Sequence, residues 1–269
     1  MKTLAYHKVT GFELGGTWVP PGRFERQIDA LLASGFRFVT ETAFLDALDG
    51  RGAGSDRDLL LTFDDGYRVL LDRAVPALEA RKIPALLFLV SAYMGAENTW
   101  ELDLPGRHFR HLGWDEAADL ARRGFSFGSH GRTHRDLTRL SPGEARDEIA
   151  RSRREIEERL GTPVRSFSYP YGRLNDAVRV AVERAGYRAA FTLYPRRRAA
   201  ALDRYELRRE GVWVIDTVGS IKAKLSGGLP FLAEDLKGRA INALAVLTPI
   251  ITGALSRTSR TSRRPSRGR

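Results

Sequence analysis

Two adjacent carboxylates, Asp64 and Asp65, close the run Thr62-Phe63-Asp64-Asp65-Gly66. They follow Leu59-Leu60-Leu61, an apolar stretch that reads as a buried strand, so both acids fall at a strand's carboxyl end. Adjacent acids repel, and a strand end accepts the pair only if a cation or an arginine takes up the charge. The competing reading is a solvated Asp-Asp-Gly turn. A second candidate set is His130-Gly131-Arg132-Thr133-His134. Its i, i+4 spacing on a helical turn puts both imidazoles on one face, the usual way of offering two nitrogens to one metal; a pair of surface histidines is the alternative. One added carboxylate makes a His2Asp set with open positions for water. The chain has no cysteine, so any metal must be held by His, Asp or Glu, which suits zinc or another divalent first-row ion.

The elements that position these groups alternate. Strand-like runs at Thr3–Tyr6, Phe36–Val39, Leu59–Phe63, Ala85–Val90, Ser126–Ser129, Ser166–Tyr169, Ala189–Leu193 and around Gly211–Val214 are interleaved with helix-like segments. The helical segments are Pro21–Ala33, Glu41–Leu48, Val69–Ala80 (where Pro76 suggests a kink), Asp115–Arg123, a helix opened by the capping box Ser141-Pro142-Gly143-Glu144 and stopped at Gly161, Asp176–Ala185 and Thr217–Leu225. Such alternation predicts a parallel sheet with helices outside, and six or seven units over about 225 residues fit a closed or nearly closed barrel. Active sites of such barrels lie at the carboxyl ends of the strands. Asp64, Asp65, His130, the rigid Tyr169-Pro170-Tyr171 run and His7 all fall there, which favours a site over a turn.

Composition narrows the partners. The net charge is +11, but six of those charges are arginines at 257, 260, 263, 264, 267 and 269. Residues 256–269 contain no acid, lack apolar periodicity and are expected to be disordered. Nucleic-acid binding is not supported, because the tail has no interleaved aromatics and no recognition motif is present. The N-terminus shows no apolar signal core, so export by a cleavable signal is not expected. Ala240–Leu255 is apolar but only 16 residues long, shorter than the roughly 20 needed to span a bilayer. It reads either as a helix packed on the domain or as an interfacial anchor helped onto an anionic membrane surface by the basic tail. The expected division is a catalytic domain at 1–228, a helical segment at 229–255 and a basic tail at 256–269.

Thr62-Phe63-Asp64-Asp65-Gly66, then His130 and His134, then Arg165-x-Phe167-x-x-Pro170-Tyr171 occur in the order and approximate spacing of the NodB-homology polysaccharide deacetylases (carbohydrate esterase family four), which residues 1–225 resemble. The resemblance implies a distorted (β/α)7 barrel and metal binding by Asp65, His130 and His134, commonly to zinc. It implies that Asp64 is the general base, that Arg165 pairs with and holds Asp64, and that the backbone N–H of Tyr171 helps stabilise the oxyanion. The chemistry fits independently: amide hydrolysis needs an activated water, a nearby base and an acid for the leaving amine.

Two departures stand out. Common family members carry the acid on a late Leu-x-His motif, but no histidine follows His134, and the corresponding region reads Leu207-Arg208-Arg209. His7 is the substitute, since Tyr6-His7-Lys8-Val9 resembles the N-terminal Tyr-His-Arg-Val element of the circularly permuted poly-N-acetylglucosamine deacetylase branch; a core histidine at a strand end is the alternative. Gly131 stands where the family often has Ser or Thr, removing a hydroxyl that could brace the metal loop. His108 and His111, beside Phe109 and Trp100 in the long loop 92–113, read as solvated positions, with a substrate-contacting lid as the alternative.

The leading expectation is a metal-dependent deacetylase of an N-acetylated carbohydrate, releasing acetate. A hydrolase of another non-peptide C–N bond and a non-catalytic, membrane-associated carbohydrate-binding protein are the competing readings. The expected location is cytoplasmic, near the inner leaflet.

Overall fold

The computed structural model describes residues 1–13, 15–100, 108–194 and 203–245. In chain order the elements are β1 (Lys2–Tyr6), β2 (Lys8–Val9), β3 (Trp18–Val19), α1 (Pro21–Ala33), β4 (Arg37–Phe38), α2 (Glu41–Leu48), β5 (Asp58–Phe63), α3 (Ala74–Ala80), β6 (Leu86–Leu89), α4 (Trp114–Arg122), β7 (Ser126–Ser129), α5 (Pro142–Leu160), β8 (Ser166–Ser168), α6 (Asp176–Arg184), β9 (Ala189–Leu193), β10 (Leu207–Gly211), α7 (Val218–Ser226) and α8 (Gly228–Ala245).

Seven of the strands close a parallel ring. β1 lies between the two ends of the remaining series: it pairs with β5 over its whole length, from Lys2↔Leu59 to Tyr6↔Phe63, and with β10 at Leu4↔Glu210 and Ala5↔Gly211. From β10 the ring runs through β9, β8, β7 and β6 back to β5. The two-residue β4 lies outside the ring, paired to the start of β5 through Arg37↔Asp58 and Phe38↔Leu59. This is the (β/α)7 arrangement that the resemblance implies, within the barrel of six or seven units expected from the strand–helix alternation.

Alternation along each strand divides the core into two regions. Leu60, Leu86, Phe88, Ala189, Phe191 and Leu207 pack together with Phe44 and Leu45 of α2. The larger cluster lies between strands and outer helices and includes Leu59, Leu61, Leu87, Phe167, Ile149 and Ile156. All six residues of β5 are buried, as a strand covered on both faces requires.

Local signals set the helix ends. In α5 the Ser141 side chain accepts from the Glu144 N–H while the Glu144 carboxylate accepts from the Ser141 N–H, and Gly161 ends the helix in the left-handed conformation.

Two expectations are corrected, and a third is met only by part of its segment. The last strand lies at Leu207–Gly211, not Gly211–Val214, because its charged residues find buried partners that a hydropathy pattern does not reveal. The segment Val69–Ala80 is a 3-10 turn (Arg68–Asp72) followed by α3; Pro76 falls in the first turn of α3, where its missing N–H costs little, so no kink forms. The C-terminal helix begins at Gly228 and is described to Ala245; the rest of the 229–255 segment and the 256–269 tail lie outside the described residues. No described helix is long and apolar enough to cross a membrane.

Candidate active site

The carboxyl ends of β1, β5, β7 and β8 bring His7, Asp64, Asp65, His130 and Tyr169-Pro170-Tyr171 to one end of the barrel. Asp64 continues β5, its N–H bonded to the Tyr6 carbonyl at 2.9 Å. Asp65 turns away through a left-handed backbone (φ 68°), so the two side chains diverge.

Asp64 is 1% exposed and is gripped by Arg209, which is fully buried. The guanidinium makes a bidentate pair, Nη1 to Oδ1 at 2.6 Å and Nη2 to Oδ2 at 2.7 Å. Its remaining bonds go to Thr62 Oγ1 (3.1 Å) and Ser168 Oγ (2.7 Å). It lies over the rings of Phe88 and Phe191 on the inner face. Burial alone would raise the Asp64 pKa, but the charges of Arg209, His130 and His7 outweigh it and hold the carboxyl well below the usual carboxylate range.

Arg165, expected to hold Asp64, does not. It precedes β8 at the opposite end of the barrel, where its carbonyl accepts from the Arg188 and Ala189 N–H groups and its charge bears on the buried Glu41. Asp64 takes its arginine from β10 instead. The sequence concealed this because Leu207-Arg208-Arg209-Glu210 looks like a solvated loop. A usable signal was present: Arg209 is two residues from Leu207 and therefore shares its inward face.

Asp65, His130 and His134 each present a ligand atom within 4.8 Å of the others, and all three are buried; they are the only such set found among the described residues. Asp65 Oδ1 lies 3.6 Å from His130 Nε2 and 3.3 Å from His134 Nε2. His130 Nδ1 lies 2.7 Å from the Ser168 carbonyl, a contact that fixes its ring with Nε2 facing the acids. Nδ1 of His134 is buried with no hydrogen-bond partner. Burial lowers the pKa of both imidazoles, that of His134 most, where the His130 and His7 charges add to the effect. Neutral imidazoles, a carboxylate and a tight cluster fit a divalent metal.

The histidines are not joined by a helical turn. The chain bends, with φ of 80° at Gly131 and 57° at His134. A side chain at 131 would be strained in that region, which accounts for glycine there. The missing hydroxyl is replaced from elsewhere: Ser129 Oγ accepts from the Gly131 N–H (3.1 Å), and Glu148 of α5 accepts from Arg132 N (3.0 Å), Thr133 N (2.8 Å) and Thr133 Oγ1 (2.6 Å). Glu148 falls on the buried face of α5 with Ala145, Ile149, Ser152 and Ile156, a misplaced acid that the sequence displays but does not interpret.

The loop after β6 is not a solvated one at His111. That residue is 1% exposed, and its Nδ1 lies 2.7 Å from the Asp65 carbonyl. It stacks on Tyr67 (4.9 Å between centroids), whose ring also lies under the Lys8 ammonium at 4.5 Å. Trp100 stacks on His134 at 4.4 Å and 17°. His108 is exposed, and residues 101–107 of this loop lie outside the described residues.

His7 is half-buried and stacked on Trp213 (6.3 Å, 27°), near enough that its charge acts on both Asp64 and His134. Tyr171 has φ 58° within the 3-10 turn Pro170–Gly172, and its ring lies 4.7 Å from that of His134.

A buried carboxylate held ionised by arginine, beside an Asp-His-His metal set on a (β/α)7 barrel, defines the class of metal-dependent amide hydrolases. The family model described as "Polysaccharide deacetylase" matches residues 51–190, just over half of the chain, and the chain belongs to this family. Its members are metal-dependent hydrolases of the acetamido C–N bond. The matched span contains Asp64, Asp65, His130, His134 and Tyr171 but neither His7 nor Arg209.

The chain is similar to the poly-β-1,6-N-acetyl-D-glucosamine N-deacetylase of Staphylococcus epidermidis, at 28% identity over 198 residues covering 69% of this chain and 65% of that one, just under two thirds. YxkH of Bacillus subtilis is 27% identical over 206 residues, covering 77% and 69%. Among solved structures, IcaB from Ammonifex degensii matches with a TM-score of 0.69 at 26% identity, covering 84% of this chain and 95% of that one. The Streptococcus pyogenes deacetylase PplD shares the fold, with a TM-score of 0.73 at 20% identity, covering 84% and 98%.

Proposed function

We propose that this chain removes the acetyl group from an N-acetylated amino sugar within a glycan, with zinc as the metal. The observation that carries the reading is the division of labour between adjacent acids: Asp65 joins His130 and His134, while Arg209 holds Asp64 apart and ionised. A divalent metal on Asp65, His130 and His134 would supply acidity to a water and positive charge for the developing oxyanion. Asp64 takes the proton from the attacking water; a base kept ionised in a buried site by a fixed guanidinium is suited to this. The Tyr171 N–H, in its left-handed turn beside His134, donates to the carbonyl oxygen as it gains charge. His7 gives a proton to the nitrogen as the C–N bond breaks, leaving acetate and a free amine. The curated relatives named for poly-β-1,6-N-acetyl-D-glucosamine support an amino-sugar polymer as the substrate class.

Acetate release from N-acetylglucosamine oligomers by the zinc-restored protein tests this. Loss of release in Asp64→Asn and in His130→Ala is expected. Full activity in Asp64→Asn would refute the base assignment, and release from small amides alone would move the substrate outside sugars. The basic tail at 256–269 further supports action against an anionic membrane surface.

A further inference from the structure

Helix α8 is built with its polarity reversed. All four of its charged residues turn to the barrel side. Lys237 bonds the buried Asp216 (2.7 Å) and Glu234. Asp235 is held by Arg208 and by Arg239 (2.8 Å), and Arg239 Nη1 donates to the Tyr194 carbonyl at 3.0 Å. Apart from Gly228 and Pro230 at its start, its exposed positions are instead Leu229, Leu232, Ala233, Leu236, Ala240 and Ala243. They recur at helical spacing as one stripe with no charge in it. Leu229 is 81%, Leu232 42% and Leu236 69% exposed.

A helix of a protein facing only water would be turned the other way. Half-burying four charges while exposing three leucines wastes hydrophobic free energy unless something apolar meets the outer face. Two features point to what that is. The chain beyond α8 carries six arginines and no acid in residues 256–269, so the stripe is followed by a strongly cationic segment. Three leucines and their alanine neighbours also fall short of the roughly 800 Å² per partner of a standard protein interface, whereas a shallow apolar contact joined to a polybasic segment is the combination that holds a protein on an anionic bilayer.

We infer that the outer face of α8 rests on an anionic lipid surface, with Leu229, Leu232 and Leu236 entering the headgroup boundary and the arginine tail supplying the attraction. This rests on the membrane reading above and gives it residues and an orientation. The other side of the same helix is part of the catalytic wall. Ile241 packs on the cluster of Ala5, Leu193, Tyr194 and Trp213, of which Trp213 stacks on His7, and Asn242 Nδ2 donates to the Tyr171 carbonyl at 3.2 Å. Lipid contact on one side of α8 therefore holds the cleft beside the bilayer, where a lipid-linked or nascent glycan would meet it.

Vesicle co-sedimentation of the full chain tests the inference, using phosphatidylglycerol–phosphatidylcholine vesicles against phosphatidylcholine alone. Binding is expected only to the anionic vesicles. A triple variant, Leu229→Ser, Leu232→Ser and Leu236→Ser, should lose binding about tenfold or more, while acetate release from a soluble oligomer stays at the wild-type rate. Removing residues 256–269 should abolish the salt dependence of what binding remains. Wild-type failure to sediment with anionic vesicles, or equal binding by the triple variant, overturns the inference. So does a dimer in solution that the triple variant converts to monomer, which would assign the stripe to a second copy. Because soluble-substrate activity is read separately, failure here leaves the deacetylase reading standing, and the reverse also holds.

Discussion

Both ends of the barrel carry arginine–carboxylate clusters, and they differ in what surrounds them. At the amino ends of the strands Asp46 and Asp49 meet Arg51, Arg188 and Arg204. There Arg188, then Arg204, lowers the Asp49 pKa to about 2 at a half-buried surface position. At the carboxyl ends Arg209 lowers Asp64 as well, but against burial that pushes the other way. A depressed carboxylate is therefore not a mark of a site by itself. Asp49 shares three arginines that themselves reach solvent, and partly exposed pairs of this kind contribute little to stability. Asp64 is buried and relies chiefly on one guanidinium, and the nitrogens of His130 and His134 converge beside it.

The comparison breaks most sharply at the two arginines that compete for the same role. Arg209→Met should lower kcat/KM for acetate release by about 100-fold or more, and cost about 3–5 kcal/mol of folding stability by leaving a buried carboxylate unpaired. Arg165→Met, at the other end, should change the rate by no more than about twofold. Steady-state kinetics and urea denaturation of the two variants measure this, and equal losses would dissolve the distinction between the ends.

Next in size is the brace on the histidine loop. Glu148→Gln should weaken metal affinity about tenfold, read by chelator competition, because one carboxylate oxygen that serves two N–H donors is replaced. Glu144→Gln, on the exposed first turn of the same helix, should leave affinity unchanged.

His111→Phe keeps a ring against Tyr67 and removes the nitrogen at the Asp65 carbonyl. It should cost about 1–3 kcal/mol of stability, measured on the metal-free protein. The smallest effect is the pH dependence of that metal-free protein. The folded pKa values of His130 and His134 lie below the unfolded value of about 6.5, so the unfolded state protonates first and stability falls as pH drops below that value. Asp64 adds a second loss at still lower pH, beginning near the unfolded value of about 3.9 and continuing towards its depressed folded pKa. Denaturation midpoints at successive pH values read both.

The parts of this site that announce themselves in the sequence are those at apolar strand ends. Leu59-Leu60-Leu61 makes β5 plain, and so places Asp64 and Asp65; Ser129-His130 and Tyr6-His7 are legible for the same reason. Arg209 is not, because a strand of Leu-Arg-Arg-Glu-Gly has no hydrophobic period, and its stability comes from a partner 145 residues away. His111 was hidden by its loop, whose order comes from pairing with the segment after β5: Arg68 N–H to the Arg110 carbonyl and Leu112 N–H to the Gly66 carbonyl, each 2.8 Å. The His130–His134 spacing pointed to side chains that do converge, but through an incorrect geometry, since two bends can converge side chains as a helical turn does. Long-range charge pairing and loop docking are tertiary facts, and local pattern carries little of either.

The most direct test is the acid limb of the kcat/KM–pH profile for acetate release, compared among the metal-loaded wild type, Arg209→Lys and Arg165→Lys. Lysine keeps the charge but cannot form the two-pronged pair, so burial should push the Asp64 pKa upward and carry the acid limb with it in Arg209→Lys alone. An acid limb that stays put in Arg209→Lys, or that moves in Arg165→Lys, would contradict the account of Asp64 as a base held ionised from β10.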